Sequence, residues 1–218
     1  MAALVPKAAK VVDVGSDHGY LSIFLVEQGI ASAVIATDIR PGPLASAKRN
    51  VCEAGLSENI QLRLCDGLEA VSPPEADVIL IAGMGGETII GILERARWAW
   101  SENRLLVLQP QSKQTELRKW LYQNGCGIRS EHLAQDAGRL YPILCAGGPV
   151  GPEPSPAELL VGSWPLPNRD RLFYTYLERE IEKLERAIGG LSDSQKSGSA
   201  SRLQLLRTQL EELRQMRK

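Results

Sequence analysis

The amino-acid sequence predicts an α/β fold: a mostly parallel sheet covered by helices, followed by an antiparallel helical hairpin. Three observations predict it. Up to Gly148, short apolar runs alternate with amphipathic stretches, the pattern of strands joined by helical crossovers. Val78-Ile79-Leu80-Ile81 is apolar without a break, as expected of a strand buried on both faces. Beyond Asn168 the apolar residues fall at spacings of three and four, which a helix places on one stripe.

In chain order, Lys10 to Gly15 reads as the first strand, apolar, β-branched and closed by a glycine turn. Tyr20 to Gln28 reads as a helix, Ala33 to Thr37 as the second strand, and Pro43 to Ala54 as the second helix, with Gly55 its C-terminal stop. Ile60 to Cys65 and Asp77 to Ala82 supply the third and fourth strands. Glu87 to Arg97 is helical, Arg104 to Leu108 is the fifth strand, and Gln114 to Gln123 is helical again. Ile128 to Ala134 and Leu140 to Ala146 form a closing antiparallel pair around a turn at Asp136-Ala137-Gly138. From Gly147 to Asn168 the chain is rich in proline, which forbids helix interiors. This segment reads as a linker or wrapped extension, with one helical turn at Glu158 to Val161. Leu177, Ile181, Leu184, Ile188 and Leu191 make one helical stripe, and Leu203, Leu206, Leu210 and Leu213 a second. The Ser/Gly-rich stretch Ser192 to Ser201 turns between them. The expected division is residues 1–148 as the sheet domain, 149–168 as linker and 169–218 as a coiled-coil-like hairpin.

With 218 residues, 44% hydrophobic, the chain can bury one substantial core. No apolar run approaches the roughly 20 residues that span a bilayer, and the start, Met-Ala-Ala-Leu-Val-Pro-Lys, is too short and weakly apolar for a secretory signal. The expected location is the cytoplasm, with no membrane partner. Cys52, Cys65, Cys126 and Cys145 are scattered, and only His18 and His132 accompany them, so no metal site is expected. A net charge of −1 excludes a protein that coats nucleic acid through overall positive charge; a local basic face is still allowed.

The first strand runs into Asp13-Val14-Gly15-Ser16-Asp17-His18-Gly19, an Asp-x-Gly-x-x-x-Gly pattern. Glycines at a strand-to-helix turn let the backbone approach a ligand closely, and in open α/β sheets ligands sit beyond the carboxyl ends of the strands. A dinucleotide fingerprint requires Gly-x-Gly-x-x-Gly. Here Asp17 replaces the middle glycine, and Asp13 adds a second negative charge. That arrangement opposes a pyrophosphate and suits a cationic ligand, such as the sulfonium and ammonium of S-adenosylmethionine. Asp38 ends the second strand, where a carboxylate can accept both ribose hydroxyls. Asp66 ends the third, where it can accept from an adenine amino group. Each aspartate alone is equally read as a turn or cap residue; the three in this order favour a cofactor site.

These residues carry a family resemblance. Val12 to Leu21, then Ile81-Ala82-Gly83-Met84-Gly85-Gly86, then Leu108-Gln109-Pro110 resemble the tRNA (adenine-22-N1)-methyltransferases. The likeness continues through Glu116 to Leu121, Gly138 to Tyr141 and Tyr176 to Glu180. It implies a Rossmann-like class I methyltransferase fold, S-adenosylmethionine as donor and tRNA as acceptor. By motif, Asp13, Gly15, Ser16, Asp38 and Asp66 would hold the cofactor, with Gly19, Ile39, Gly67, Ala82 and Gly83 completing that set. Asp17, His18 and the Gly83 to Gly86 loop would face the base. Met84, Gly85, Gly86, Gln109, Pro110 and Gln111 are the candidate acceptor contacts. The sequence departs from the family pattern in three places: of the helix that usually precedes the first strand only Met1 to Pro6 remains, Gln111 stands where asparagine is usual, and Gly19 where alanine is usual.

An adenine N1 has an in-plane lone pair, and methylating it leaves a cationic base. Alignment and stabilisation of growing positive charge are therefore the expected catalytic effects. Asp17 is the candidate stabiliser; the alternative is that it caps the following helix. His18 either positions the base or a phosphate, or packs beside the cofactor. Gly83-Met84-Gly85-Gly86 lacks the Asn/Asp-Pro-Pro-Tyr motif of many amino-group methyltransferases, which argues against an exocyclic amine and is compatible with a ring nitrogen; equally, the glycines could serve only a tight turn. Tyr20 or Tyr141 could stack on a base drawn out of its helix, or lie in the core.

Lys7, Lys10, Arg40, Lys48, Arg49, Lys113, Arg118 and Lys119 are candidate phosphate contacts in the sheet domain. The hairpin arginines Arg169, Arg171, Arg179, Arg186, Arg202, Arg207, Arg214 and Arg217 are mixed with glutamates. They read either as an RNA-gripping arm or as a solvated face of i, i+4 pairs. A monomer or weak homodimer is expected. Two other functions fit the same residues: methylation of a non-RNA acceptor, and a nucleotide-binding scaffold without turnover.

Overall fold

A computed structural model of the chain describes residues 1–100, 104–192 and 199–217. Seven strands and seven α-helices are described: β1 (Ala9–Val14), α1 (Tyr20–Glu27), β2 (Ala31–Asp38), α2 (Pro41–Glu53), β3 (Ile60–Leu64), β4 (Val78–Gly85), α3 (Gly86–Arg95), β5 (Leu105–Ser112), α4 (Gln114–Gln123), β6 (Ile128–Asp136), β7 (Arg139–Ala146), α5 (Pro156–Val161), α6 (Arg171–Ser192) and α7 (Ser199–Met216). The strands form one sheet in the order β3-β2-β1-β4-β5-β7-β6. The first five are parallel, and β7 runs antiparallel to both of its neighbours. The α/β class I methyltransferase fold expected from the sequence is the one observed.

The unbroken Val78 to Ile81 run has a direct structural cause. Val78 and Leu80 enter the layer under α1 and α2, with Val11, Val34 and Leu25. Ile79 and Ile81 enter the opposite layer under α3 and α4, with Ile89, Leu93, Leu117 and Leu121. Successive side chains of a strand point to opposite faces, so a strand covered on both sides needs apolar residues at every position. Gly55 at φ +70 ends α2 as a glycine past a helix terminus does. The β6–β7 turn has positive φ at both Ala137 and Gly138, the geometry of a two-residue hairpin turn.

Two strands run further than the sequence indicates. The reading ends the fourth strand at Ala82 and the fifth at Leu108, whereas β4 continues to Gly85 and β5 to Ser112. Irregular register on either side of Met84 lets Met84 pair with Pro110 and Gly85 with Ser112. Gly83, at φ +74, supplies the kink that allows it. The helix after β4 closes at Arg95, and a separate 3-10 turn covers Arg97–Trp100.

The proline-rich segment is seated on the fold. Ser155 caps α5, its hydroxyl accepting from the Glu158 amide while the Glu158 carboxylate accepts from the Ser155 amide, with Pro156 at the first helical position, where its missing N–H leaves nothing unpaired. Ala157, Val161 and Trp164 then pack with Phe173, Leu177, Ile181, Leu184 and Leu213 of the hairpin, and with Leu133 of β6 and Leu140 of β7. Ion pairs Arg214–Glu185 and Arg217–Glu178 join α6 and α7 in antiparallel sense. Most of the turn expected at Ser192 to Ser201 lies outside the described residues.

One candidate phosphate contact is removed by the structure. Arg118 is 2% exposed. Its Nε and Nη2 donate to the Glu131 carboxylate, the shortest contact being 2.7 Å, and its Nη1 donates to the Leu159 and Leu160 carbonyls of α5. It ties α4, β6 and α5 together and is out of reach of RNA. No described helix is long and apolar enough to cross a membrane.

Candidate active site

The chain leaves β1, builds β2 and β3 to one side, and returns with β4 on the other side of β1. The carboxyl ends of β1 and β4 therefore flank the point where strand order reverses, and ligands of open α/β sheets sit there. The β1–α1 loop at this point is fixed by its own amides. Gly15 N and Ser16 N both donate to Thr37 O, at 2.8 and 3.0 Å, and Gly19 N donates to Ser16 O at 2.8 Å. Asp17 N donates to Asp38 Oδ2 at 3.2 Å, and Asn50 of α2 donates to His18 O. A loop whose amides are spent on the protein cannot cradle a diphosphate through them, as a dinucleotide loop does.

What the loop presents instead are acceptors. Asp38, 5% exposed, takes Asp17 N on one oxygen and Arg40 N on the other, at 2.9 Å. A carboxylate oxygen has two lone-pair sites, so each keeps capacity for a hydroxyl donor. Asp13, 4% exposed, lies beneath α1 and accepts from Ser22 Oγ at 2.7 Å. Burial pushes its carboxyl up to about 6, against the opposing effect of the Ser22 hydrogen bond. Ser16 Oγ is buried without a hydrogen-bond partner among the described residues, and a buried hydroxyl is rarely left so. Gly15 is required by its φ of +71, and the movable tip of Met84, Cε, lies over it from across the switch point. Carboxylates, an orphaned hydroxyl and a glycine-lined approach fit a cationic ligand that carries a diol, as S-adenosylmethionine does.

Asp66 stands at the end of β3, ion-paired through Oδ2 to Arg95 at 2.9 Å. Gly67 O accepts from Thr37 Oγ1, and a Cβ on Gly67 would lie 2.8 Å from Ile92, so this turn is locked against β2 and α3. Ile39 is 62% exposed beside Asp38. Ala82 and Gly83 lie at the far side of the cleft, with Gly83 N donating to Gln109 Oε1 at 3.0 Å.

The acceptor side separates into two groups. Gln109 is spent on Gly83 N and on Pro110 O. Gly86 is pressed against Lys113 O and Gly85 lies near Ser112 Oγ, so these glycines let α3 start tight against β5. Met84 and Gln111 face the Gly15 and Gly83 positions. Asp17 is 57% exposed in its side chain and holds φ +49, a region uncommon for any residue with a Cβ. It does not cap α1: the cap position is Gly19, and no side-chain cap bond is made. His18 Nε2 approaches Asp17 Oδ2 at 3.6 Å, beyond hydrogen-bond length, and its ring stacks on Tyr20 with centroids 5.7 Å apart. Tyr20 is 69% exposed, which removes it from the core.

A cavity of about 260 Å³ lies elsewhere, beside β6 and the proline-rich segment. Its charged groups are already engaged: Arg118 with Glu131, Glu158 with the Ser155 amide, and Arg129 with Gly147 O. The open acidic cleft is the better candidate because Ser16 Oγ has no partner among the described residues and the Asp38 oxygens keep lone-pair capacity. Sequence reasoning missed Thr37, Ser22 and Asn50, whose partners lie 30, 9 and 32 residues away; no local signal marks such pairings.

Comparison with known proteins agrees with this geometry. The chain is 40% identical over 146 residues to the tRNA (adenine(22)-N(1))-methyltransferase of Bacillus subtilis, a match that takes in 67% of this chain and 61% of that one. The aligned region thus spans less than two thirds of the length of the curated relatives it matches. The crystal structure of the B. subtilis M1A22 tRNA methyltransferase TrmK superposes with a TM-score of 0.88 at 31% identity, covering 98% of this chain and 94% of that one. Streptococcus pneumoniae Sp1610, solved in complex with S-adenosyl-L-methionine, superposes with a TM-score of 0.83 at 34% identity, covering 98% and 94%. Residues 11–215 match the family described as TrmK: tRNA (adenine(22)-N(1))-methyltransferase, and the chain belongs to that family.

Proposed function

We propose that the protein transfers a methyl group from S-adenosylmethionine to N1 of adenine 22 in tRNA. The observation that carries the donor assignment is the β1–α1 loop, whose amides are consumed by Thr37, Asp38 and Ser16 while its surroundings offer carboxylates. The acceptor assignment is supported by the family and by the Gly83 to Gly86 strand end, which carries no side chain built to grip an exocyclic amine.

Asp38 would take the ribose hydroxyls, Asp66 the adenine amino group, and Ser16 Oγ and the ionised Asp13 the amino-acid end, with Gly15, Gly19, Ile39, Gly67, Ala82 and Gly83 shaping the cleft. When bound, S-adenosylmethionine supplies an electrophilic methyl on a positively charged sulfur. The protein's part is to hold the adenine N1 lone pair in line with that methyl and to stabilise charge as it grows on the ring. Its exposed carboxylate and its freedom from helix capping support Asp17 for the second task. His18 and Tyr20 form a stacked rim on which the base can lie. Met84 and Gln111 are the acceptor contacts, with Gln109, Pro110, Gly85 and Gly86 holding their strand ends in place. In this reading residues 1–148 carry the chemistry, and 149–168 seats the hairpin, 169–218, which helps to hold the tRNA.

Incubation with unmodified tRNA and labelled cofactor, followed by nucleoside analysis, should yield 1-methyladenosine at a single position. Label in another nucleoside, or none from folded protein, overturns the assignment. The Asp17→Asn variant should lose roughly 100-fold in kcat, in the range of removing one transition-state stabiliser, while calorimetry finds cofactor affinity within about threefold of wild type. Turnover at the wild-type rate would remove Asp17 from the chemistry. For the hairpin, a deletion is a poor probe because Arg118 depends on α5. Arg202 and Arg207 are exposed. Replacing both with glutamine should weaken tRNA binding and lower the salt slope of log Kd by about two. An unchanged slope at equal melting temperature takes these residues out of the RNA path.

A further inference from the structure

Arg40 occupies a singular place. It is the N-cap residue of α2, and its amide is pinned to Asp38 Oδ1 at 2.9 Å, so its side chain departs from a fixed point beside the buried carboxylate. The guanidinium lies 4.0 Å from Asp17 Oδ1 and 3.8 Å from Asp38 Oδ1. Both distances exceed hydrogen-bond length, and among the described residues the group makes no side-chain hydrogen bond. Arg95, Lys113 and Arg214, by contrast, each reach a carboxylate oxygen at 3.0 Å or less. An exposed pair as long as Arg40–Asp17 adds little to stability, so the fold does not require this cation where it stands.

We infer that Arg40 is a positioning residue for the nucleotide that is methylated, exchanging its loose hold on Asp17 for the phosphodiester beside the target base. This rests on the tRNA reading above. Asp13, Asp17 and Asp38 make this edge acidic, which repels an RNA backbone unless a cation intervenes, and Arg40 is the cation between Asp17 and Asp38. A guanidinium carries five donors in a planar fork that matches two phosphate oxygens. A base entering the cleft brings its own phosphate within a nucleotide's length of the Asp17 carboxylate. The exchange does two things in one movement: it fixes the nucleotide, and it strips Asp17 of its counter-ion so that its full charge faces the base as positive charge develops there.

The test compares wild type with Arg40→Gln and Arg40→Lys, using full-length protein and a tRNA transcript over a series of salt concentrations. Arg40→Gln should raise KM for tRNA about tenfold and lower the salt slope of log Kd by about one. Cofactor affinity by calorimetry should stay within about threefold. Arg40→Lys should keep the slope and recover part of the KM, having the charge without the fork. An active wild type with unchanged KM and slope in Arg40→Gln overturns the inference. So does a tenfold loss of cofactor affinity with tRNA binding intact, which would make Arg40 a cofactor residue. A wild-type protein that binds the cofactor but neither binds nor methylates tRNA fails at the earlier reading and takes this one with it.

Discussion

Replacing Arg118 with alanine should cost the fold about 3–5 kcal/mol, because it leaves Glu131 charged and alone in the interior. Both side chains of the pair are 2% exposed. Gly162 packs directly on the Glu131 carboxylate, which a Cβ there would strike. At roughly 2–4 °C per kcal/mol for a domain of this size, the melting temperature should fall by about 6–20 °C. The double variant Arg118→Met, Glu131→Met separates charge burial from architecture. Removing both charges relieves the uncompensated carboxylate, but Leu159 O and Leu160 O still lose their donor, at about 1–3 kcal/mol for buried groups left unmade. Partial recovery is the expected result in urea or thermal unfolding. If the single variant stays within about 1 kcal/mol of wild type, the pair does not hold α5 to α4 and β6.

That pair also shows where the sequence stops being informative. The sheet was legible because its signals are local: strands of a few residues, glycine stops, and an apolar run whose lack of alternation reports two covered faces. The acidic cleft was legible for the same reason, since Asp13 to Gly19 is one continuous loop and Asp38 and Asp66 each end a strand. Arg118 stands among the candidate phosphate contacts, although it flanks Leu117 and lies three residues before Leu121, both fully buried. A charge on the inner stripe of a helix signals a buried partner, and that partner is Glu131, in a different element. Gln109, Gly85 and Gly86 are candidate acceptor contacts through the family resemblance of their motifs. The register irregularity around Met84 carries pairing past the expected strand ends and spends these residues on β5. Such a change depends on how two strands slide against each other, and neither strand's own sequence encodes it.

Asp13→Asn should make the ligand-free protein more stable and the cofactor weaker, and pH separates the two effects. Burial raises the Asp13 carboxyl to about 6 from an ordinary 3.8. The folded state therefore binds this proton more tightly than the unfolded state does. Between about pH 4 and 6 stability falls as pH rises, and above 6 the penalty is constant. Two pKa units correspond to about 3 kcal/mol, an upper figure that relaxation around the ion reduces. Asparagine removes the penalty and can still accept from Ser22. At pH 8 it should melt about 3–8 °C above wild type, with the difference closing towards pH 4. A carboxylate kept ionised beneath α1 at this cost works against the fold unless its charge serves the cleft, as residues at functional sites commonly do. S-adenosylmethionine affinity should then drop roughly tenfold or more in the variant. In wild type it should weaken as pH falls through 6, while the variant stays flat over the same interval. A variant that is stabilised yet binds the cofactor as wild type does would mean that Asp13 answers to no cation, and that the acidity of this cleft resides in Asp38 and Asp17 alone.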